Sequence, residues 1–295
     1  MSMKARARAK INLTLEVLGK RPDGYHEVEM VMQSIELHDY LEFSPTSGEI
    51  TLTVEGDGLP AGAQNLVYRA ADLLRSHSGI RQGASIHLKK TIPVAAGLAG
   101  GSADAAAALI ALNQMWRTGF SLSDLMKLGE RLGSDIPFCL LGGTALARGR
   151  GERVERLPAC PGLGVVLVKP PFGLSTAHVY QSYKQERSAD KPDHRGMIRA
   201  IEKNDVRAIC SHLANMLEPV AIRLQPAISV MKEKLLQAGA LGVLMSGSGP
   251  AVFGLTPDPD TARAVASRYN RRDEQVIVTS ICNTNNKAYI SCDSP

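Results

Sequence analysis

The sequence lacks any apolar run long enough to cross a bilayer as a helix, which takes about 20 residues. Its basic start is not followed by the apolar segment of a signal peptide. The five cysteines are scattered, and no two of them have the C-x-x-C spacing of zinc sites and redox motifs. We therefore expect neither secretion nor membrane insertion, and we expect a protein of the reducing cytoplasm without a disulfide framework.

Aromatic residues are few, and there is no strong charge bias. Aromatics make up 4% of the chain, and 34 basic against 29 acidic residues leave a net charge of +5. This small excess suits an anionic ligand such as a nucleotide, although many enzymes carry as much. With 44% hydrophobic residues among 295, the chain is long enough for two domains that each bury a core.

Hydrophobic periodicity predicts a mixture of helices and antiparallel strands. Alternation over residues 4–18 indicates a first strand, and Arg21-Pro22-Asp23-Gly24 indicates a turn. Further strands are predicted at 28–43, 49–55, 85–90, 163–169, 242–245, 252–255 and 276–279. Helices are predicted at 66–76 and 102–116, from Ser121 to about Gly133, and at 197–217 and 227–238, with residues 184–195 as a solvated loop. The pattern predicts an α+β fold.

The most informative segment is glycine-rich and leads into an alanine-rich helix, Pro93-Val-Ala-Ala-Gly-Leu-Ala-Gly-Gly-Ser-Ala-Asp-Ala-Ala106. Gly97, Gly100 and Gly101 can adopt positive φ, so that backbone N–H groups converge on an anion. The helix after them directs its positive dipole end to the same point. The segment therefore predicts a phosphate-binding loop. A tight strand-to-helix connection is the alternative for such a segment by itself.

Two polar residues are candidates for chemistry beside this loop. Lys10 lies on the polar face of the first strand, where a lysine by itself is more often a surface residue. Asp135 precedes the apolar run 136–141, so it should be partly desolvated and need a positive or donor partner. Phosphoryl transfer to an alcohol requires a proton acceptor, a cation and a triphosphate cradle. Asp135, Lys10 and residues 93–106 could supply these.

The glycine-rich segment resembles the second motif of the GHMP kinases, the small-molecule kinases named for galacto-, homoserine, mevalonate and phosphomevalonate kinase. Ala99 and Ala103 stand where that motif has a glycine and a serine. The resemblance implies ATP as co-substrate with Mg²⁺, Asp135 as catalytic base paired with Lys10, and Ser102 as a possible Mg²⁺ ligand. The ATP-binding residues it implies are Pro93, Val94, Ala95, Ala96, Gly97, Leu98, Ala99, Gly100, Gly101, Ser102, Ala103 and Asp104, with Asn65 on the adenine side.

The family resemblance also implies a domain division and an acceptor class. The first domain, residues 1–158, would resemble domain 2 of ribosomal protein S5, and the second, residues 159–295, would be ferredoxin-like. The segments 10–12 and 21–27 are similar to the branch of the family whose acceptor is a cytidine diphosphate-linked polyol. For that acceptor, the resemblance implies contacts from Asn12, Tyr25 and His26, and from Ser246 and Gly247 in a third, glycine-rich motif at 244–250. Tyr180 is the candidate for a second ring that would hold the cytosine against Tyr25.

Three alternatives remain open from the sequence. The first is another GHMP kinase acting on a small alcohol such as homoserine, although the Tyr25-His26 segment argues against it. The second is a nucleic-acid-binding protein that uses the basic face of Lys4, Arg6 and Arg8, which would bind with a steep salt dependence. The third is an ATP-binding regulator without turnover. We expect a small-molecule partner and neither a nucleic acid nor a membrane.

Overall fold

A computed structural model describes residues 2–56, 59–183, 191–270, 272–284 and 291–292, the last pair by backbone alone. The strands are β1 (Met3–Lys20), β2 (His26–Thr46), β3 (Ile50–Glu55), β4 (Gly83–Lys89), β5 (Thr144–Gly149), β6 (Arg153–Arg156), β7 (Gly164–Lys169), β8 (Ala214–Asn215), β9 (Gly242–Met245), β10 (Val252–Thr256), β11 (Gln275–Ser280) and β12 (Ser291–Cys292). The helices are α1 (Leu66–Ser78), α2 (Gly100–Met115), α3 (Leu122–Glu130), α4 (Ile136–Leu141), α5 (Thr176–Ser182), α6 (His194–Glu202), α7 (Val206–Ser211), α8 (Glu218–Leu224), α9 (Ala227–Gln237) and α10 (Pro259–Arg268). None of these helices is both long and apolar enough to span a bilayer.

The first sheet is built on a long antiparallel hairpin. β1 and β2 pair along most of their length around the turn at Arg21, where Gly24 N–H donates to the Arg21 carbonyl at 3.1 Å. The strand order is β12-β1-β2-β4-β3, while β5 pairs with the first half of β2, β6 with β5, and β8 with β1. β8 and β12 come from the C-terminal half of the chain and extend this sheet.

Two irregularities in β1 change which side chains are buried. The register against β2 shifts between Arg8 and Lys10 and again between Asn12 and Thr14. Such bulges re-aim side chains relative to the regular alternation. Lys10 and Asn12 are therefore buried, at 5% and 0% exposure, whereas Lys4 and Arg6 stay exposed. The surface alternative for Lys10 is wrong.

The second sheet is antiparallel and has the order β11-β7-β10-β9. In chain order this places the fourth strand beside the first and the first beside the third, which is the ferredoxin-like arrangement. One large core lies between the first sheet and helices α1 to α4, and extends into the C-terminal helices. A second core joins Ile11 and Leu13 of β1 to Leu167 and Phe253 of the second sheet and to Met197 of α6. The two sheets therefore pack together through β1.

Several predicted elements need correction. The predicted helix at 197–217 is in fact α6, α7 and the short strand β8, because Asn204 has a φ of +53° and Asp205 caps a new helix. α2 begins at Gly100 rather than residue 102. Residues 194 and 195 open α6, so they are not loop, and residues 184–190 lie outside the described part. β5, β6, α4, α5, α8 and α10 were not predicted.

Candidate active site

A cleft of about 1200 Å³ opens between β1, the glycine-rich segment, α5 and the loop after β9. All the predicted site residues line it except Ala103 and Ser246. Ala103 is fully buried among the apolar residues that pack on α2, so the structure does not support its predicted contact with ATP. The cleft therefore brings together side chains that are more than 200 positions apart in the chain.

The glycine-rich segment forms a concave backbone surface. Positive φ angles occur at every second residue, +52° at Ala95, +78° at Gly97 and +56° at Ala99. Alternating signs of φ turn successive N–H groups toward one point, an arrangement that binds anions. Gly97 has the predicted positive φ, but the prediction is wrong for Gly100 and Gly101, which are helical. The other two left-handed residues of the segment are alanines, Ala95 and Ala99, for which this backbone conformation costs conformational energy.

The first turn of α2 faces the same space. Gly100, Gly101 and Ser102 lie in this turn and line the cleft, and no side chain caps it. Their N–H groups have no intrahelical acceptor, and the helix dipole adds positive potential. Nothing bulky covers Gly101, since a β-carbon there would meet only Leu66, at 3.6 Å. The turn thus offers donors for a phosphate group.

The loop at 246–249 closes one side of the cradle. Ser246 Oγ donates to the Gly97 carbonyl at 3.0 Å, and Asn215 Nδ2 donates to the carbonyls of Met245 and Gly247 at 2.9 and 2.8 Å. Ser246 is completely buried, so in this structure it supports the loop rather than facing the acceptor as predicted. Gly247 does line the cleft, and a β-carbon built there would be 3.2 Å from Lys10 Nζ.

Lys10, Asn12 and Asp135 form a polar group at the base of the cleft. Lys10 Nζ donates to Asn12 Oδ1 at 2.7 Å and lies 3.7 Å from Asp135 Oδ2. The Asn12 amide nitrogen faces Met30 Sδ at 3.2 Å, so Asn12 is engaged on both sides. The Asp135 side chain is 29% exposed, against 6% for that of Lys10. Asp135 is therefore the member of the group that is most accessible from the cleft.

A buried charge cluster beneath the loop was missed from the sequence, which assigned its member Asp104 to ATP binding. Lys90 Nζ binds Asp39 and, at 2.6 Å, Asp104. Asp39 also accepts the N–H groups of Thr91 and Ile92, at 2.5 and 2.8 Å, which holds the segment that enters the loop. Burial raises the pKa of Asp104. Burial opposes the charge of Lys90, but the two aspartates raise its pKa overall, so it stays cationic.

Aromatic rings line the other end of the cleft. The His26 and Tyr180 rings lie 5.1 Å apart at 32°, and Tyr183 meets His26 edge-on at 6.3 Å. Tyr25 is 56% exposed and lies under the Arg150 guanidinium, with 5.0 Å to the ring centre. Burial, with a smaller effect of Lys20, lowers the pKa of His26. Burial, with the charge of Asp135, raises the pKa of Tyr180. At neutral pH, His26 is therefore an uncharged ring that can both donate and accept.

Asn65 sits at the predicted nucleotide end, but its side chain is already engaged. Its Oδ1 accepts Val67 N–H at 2.9 Å as the N-cap of α1, and its Nδ2 donates to the Pro60 carbonyl at 2.8 Å. Arg150, Tyr183 and Thr176 also line the cleft and were not predicted, and so does Ser248 of the motif at 244–250. Only their positions in the fold distinguish the first three, because each is an ordinary loop or helix residue in the sequence.

Comparison with known proteins assigns this fold and cleft to a class. Residues 65–143 match the family model of the GHMP kinases N terminal domain, and residues 197–275 match that of the GHMP kinases C terminal domain. The chain is therefore a member of the GHMP kinase family. The first match contains the glycine-rich segment and Asp135, and the second contains the loop at 246–249.

The relatives narrow the class to one enzyme. A 4-diphosphocytidyl-2-C-methyl-D-erythritol kinase from Pelotomaculum thermopropionicum is 65% identical over 96% of this chain and 99% of its own. The enzyme of that name from Geobacillus kaustophilus is 50% identical over 86% and 88%. A crystal structure of 4-(cytidine 5'-diphospho)-2C-methyl-D-erythritol kinase is 36% identical, with a TM-score of 0.81 over 94% of this chain and 98% of that one. A homoserine kinase from Cytophaga hutchinsonii, 24% identical with a TM-score of 0.78 over 97% and 95%, shares the fold. Within the GHMP kinases, the chain belongs with the 4-diphosphocytidyl-2-C-methyl-D-erythritol kinases.

Proposed function

We propose that the protein transfers the γ-phosphoryl group of ATP to the 2-hydroxyl of 4-diphosphocytidyl-2-C-methyl-D-erythritol, giving the 2-phosphate and ADP. One observation carries the proposal. The Lys10–Asp135 pair, at 3.7 Å, lies in one cleft with the phosphate-binding loop and the aromatic group of Tyr25, His26 and Tyr180. The relatives that carry this activity match nearly the whole chain.

The chemistry follows from this arrangement. The Asp135 carboxylate accepts the proton of the 2-hydroxyl as the oxygen forms its bond to the γ-phosphorus, and the bond between that phosphorus and the bridging oxygen of ADP breaks. Lys10 holds Asp135 from one side and adds positive charge where negative charge develops. Asn12 fixes the lysine ammonium group through the 2.7 Å hydrogen bond, so little reorganisation accompanies the reaction.

The triphosphate fits the loop at 93–102. The N–H groups around Ala95, Gly97 and Ala99 and the open first turn of α2 supply donors without a side chain in the way. Among the described residues, no group of three or more acidic, histidine or cysteine side chains could hold a metal ion. Proteins bind Mg²⁺ through one or two carboxylates together with substrate phosphates. Ser102 would contribute a hydroxyl, and Mg²⁺ neutralises phosphate charge when bound.

The aromatic end of the cleft suits the cytosine. A neutral His26 can pair with the amino and acceptor groups of the base edge, while Tyr180 and Tyr25 offer ring surfaces. These contacts are distant from the reacting hydroxyl, so their binding energy serves to position it. We infer the same division as from the sequence, with ATP bound mainly by residues 1–158 and the acceptor held between both halves.

The test is turnover of the purified protein with a panel of acceptors. ADP release, with the product identified by ³¹P NMR, should be fast with the cytidine compound and slower with its uridine analogue. The amino-to-carbonyl change leaves an unpaired group at the site, which costs about 1–3 kcal/mol. If homoserine, mevalonate or free methylerythritol phosphate is turned over as fast as the cytidine compound, the proposed acceptor is wrong, although the kinase class still holds.

A further inference from the structure

The acceptor under the proposed function carries a diphosphate between its cytidine and its polyol, and this inference rests on that function. Two phosphate charges entering a partly closed cleft require cationic donors. The described residues that line the cleft include four permanently basic side chains, Lys10, Lys20, Lys90 and Arg150. The question is which of them is placed and available for the diphosphate.

Two of the four are committed to other partners. Lys10 is held by Asn12 and Asp135 at the reaction centre. Lys90 is enclosed by two carboxylates, with its side chain only 8% exposed. Moving the Lys90 ammonium group to the acceptor would leave two buried carboxylates unpaired, and moving that of Lys10 would separate it from Asp135. Arg150 and Lys20 remain, and both are on the aromatic side of the cleft.

Arg150 lies at the aromatic end of the cleft, one residue before a glycine that lies beside Asp135. Its guanidinium lies over the Tyr25 ring at 5.0 Å. The next residue, Gly151, lies beside Asp135, since a β-carbon built there would be 3.9 Å from Asp135 Oδ1. In the acceptor the diphosphate joins cytosine to polyol, and in the cleft Arg150 contacts Tyr25 through its side chain while its neighbour in the chain lies beside Asp135.

The guanidinium also keeps free donors. Its nearest carboxylates, Glu130 and Glu152, are 3.8 and 3.9 Å away, beyond hydrogen-bond distance. Within the described part of the chain, the guanidinium donates no hydrogen bond of normal length, although its side chain is only 24% exposed. A planar guanidinium with five N–H donors matches two phosphate oxygens in a way that a lysine does not.

We propose that Arg150 is a specificity-determining residue that binds the diphosphate of the acceptor with its guanidinium while that group lies over the Tyr25 ring. The cation–π contact restricts the arginine before the ligand arrives, so less side-chain freedom is lost on binding. Arg150 would thus favour cytidine diphosphate compounds over nucleosides and monophosphates that present the same base.

The experiment compares ligands that differ only in their phosphates. Cytidine, CMP and CDP are titrated by calorimetry into the wild type, Arg150→Met and Arg150→Lys, with a saturating non-hydrolysable ATP analogue in the nucleotide site. We expect the wild type to bind CDP about 10–100-fold more tightly than cytidine, the range for charge-assisted hydrogen bonds. Arg150→Met should lose most of this ratio while binding cytidine as before, and Arg150→Lys should be intermediate.

Arg148→Met is the matched control. Arg148 precedes Arg150 by two residues, is 46% exposed, pairs with Glu29 and Glu155, and does not line the cleft. The Arg148→Met substitution removes the same charge from the same hairpin, so this variant should keep the wild-type ratio of CDP affinity to cytidine affinity. An equal loss in both variants would reduce the effect to net charge and overturn the proposal.

Other outcomes also decide the matter. If Arg150→Met weakens the binding of cytidine and of CDP by the same factor, Arg150 only supports Tyr25, and its proposed role in binding the diphosphate is wrong. If Lys20→Met loses the ratio and Arg150→Met keeps it, the role belongs to Lys20. A wild type that does not distinguish CDP from cytidine also overturns the proposal. The proposed function is judged separately, by turnover of the cytidine acceptor in the wild type.

Discussion

Gly97 is the point where the phosphate-binding loop touches the loop at 246–249, and Gly97→Ala tests whether that contact shapes the site. A β-carbon on Gly97 would be 2.1 Å from the Ser246 carbonyl oxygen and 3.1 Å from Gly249 N. Both neighbours are backbone atoms and cannot rotate away. The two loops must therefore separate, and the 3.0 Å hydrogen bond from Ser246 Oγ to the Gly97 carbonyl must lengthen or break.

The magnitude follows from two contributions. Holding an alanine at a φ of +78° costs about 1–2 kcal/mol, and losing the Ser246 hydrogen bond about 1 kcal/mol more. A loss of about 2–3 kcal/mol leaves a protein of ordinary stability folded and lowers its Tm by roughly 5–10 °C. A displacement of about 1 Å at a reacting centre can reduce activity 10²-fold, so we expect kcat/KM for ATP to fall by about that factor.

The assay pairs this variant with Gly101→Val. Gly101 is exposed in the first turn of α2, where a β-carbon makes only ordinary contact with Leu66. Gly101→Val should keep the wild-type Tm but weaken ATP binding, because its side chain occupies the phosphate approach. Gly97→Ala should have both a lower Tm, measured by calorimetric melting, and a weaker affinity for ATP, measured by titration. If Gly97→Ala keeps both the Tm and the ATP affinity, the proposed role of the loop contact is wrong.

Three further predictions concern the acceptor side. Asp135→Asn should lower kcat by about 10²–10⁴ with little change in ATP affinity, and Lys10→Met should act similarly; near-normal turnover would remove that residue from the mechanism. Tyr25→Ala should raise the KM for the cytidine acceptor and leave that for ATP unchanged; a parallel rise in both would show a general disturbance. Because burial lowers the pKa of His26 below 6.5, its neutral form persists below that pH. The acceptor KM should therefore stay constant from pH 8 to 6.5 and rise only on further acidification, and a His26→Asn variant should not show the rise; a transition at or above pH 6.5 would contradict this.

The local predictions that held depend on interactions within a few residues. The turn at Arg21 is present, and the predicted helices at 66–76 and from Ser121 begin at the N-cap of Asn65 and at a capping box of Ser121 with Asp124. Each requires only a backbone N–H and an acceptor close by in sequence. The motif segments were found for the same reason, because a phosphate loop is a continuous piece of backbone.

The failures are cases in which distant residues decide. α4 is a six-residue apolar run whose length does not distinguish a helix from a strand. Lys90 is preceded by Lys89, an exposed lysine that pairs with Glu55, and only the neighbouring strands place Lys90 between two carboxylates. In the β5–β6 hairpin, Arg148 is likewise exposed and paired with carboxylates, whereas Arg150, two residues later, lines the cleft. Whether a charged residue lies on the surface or in a site depends on which elements pack against it, and those elements are distant in the sequence.

The sequence by itself determined many of the strands and helices, the phosphate-binding segment and the family resemblance, because glycine spacing, caps and periodicity act through the local backbone. Tertiary structure decided the rest. Bulges in β1 brought Lys10 into a buried position within 3.7 Å of Asp135, and the loop of Ser246 reached Gly97 from 149 residues away. Such contacts depend on the packing of two sheets through one strand, since only packing sets distances between residues that the chain holds far apart.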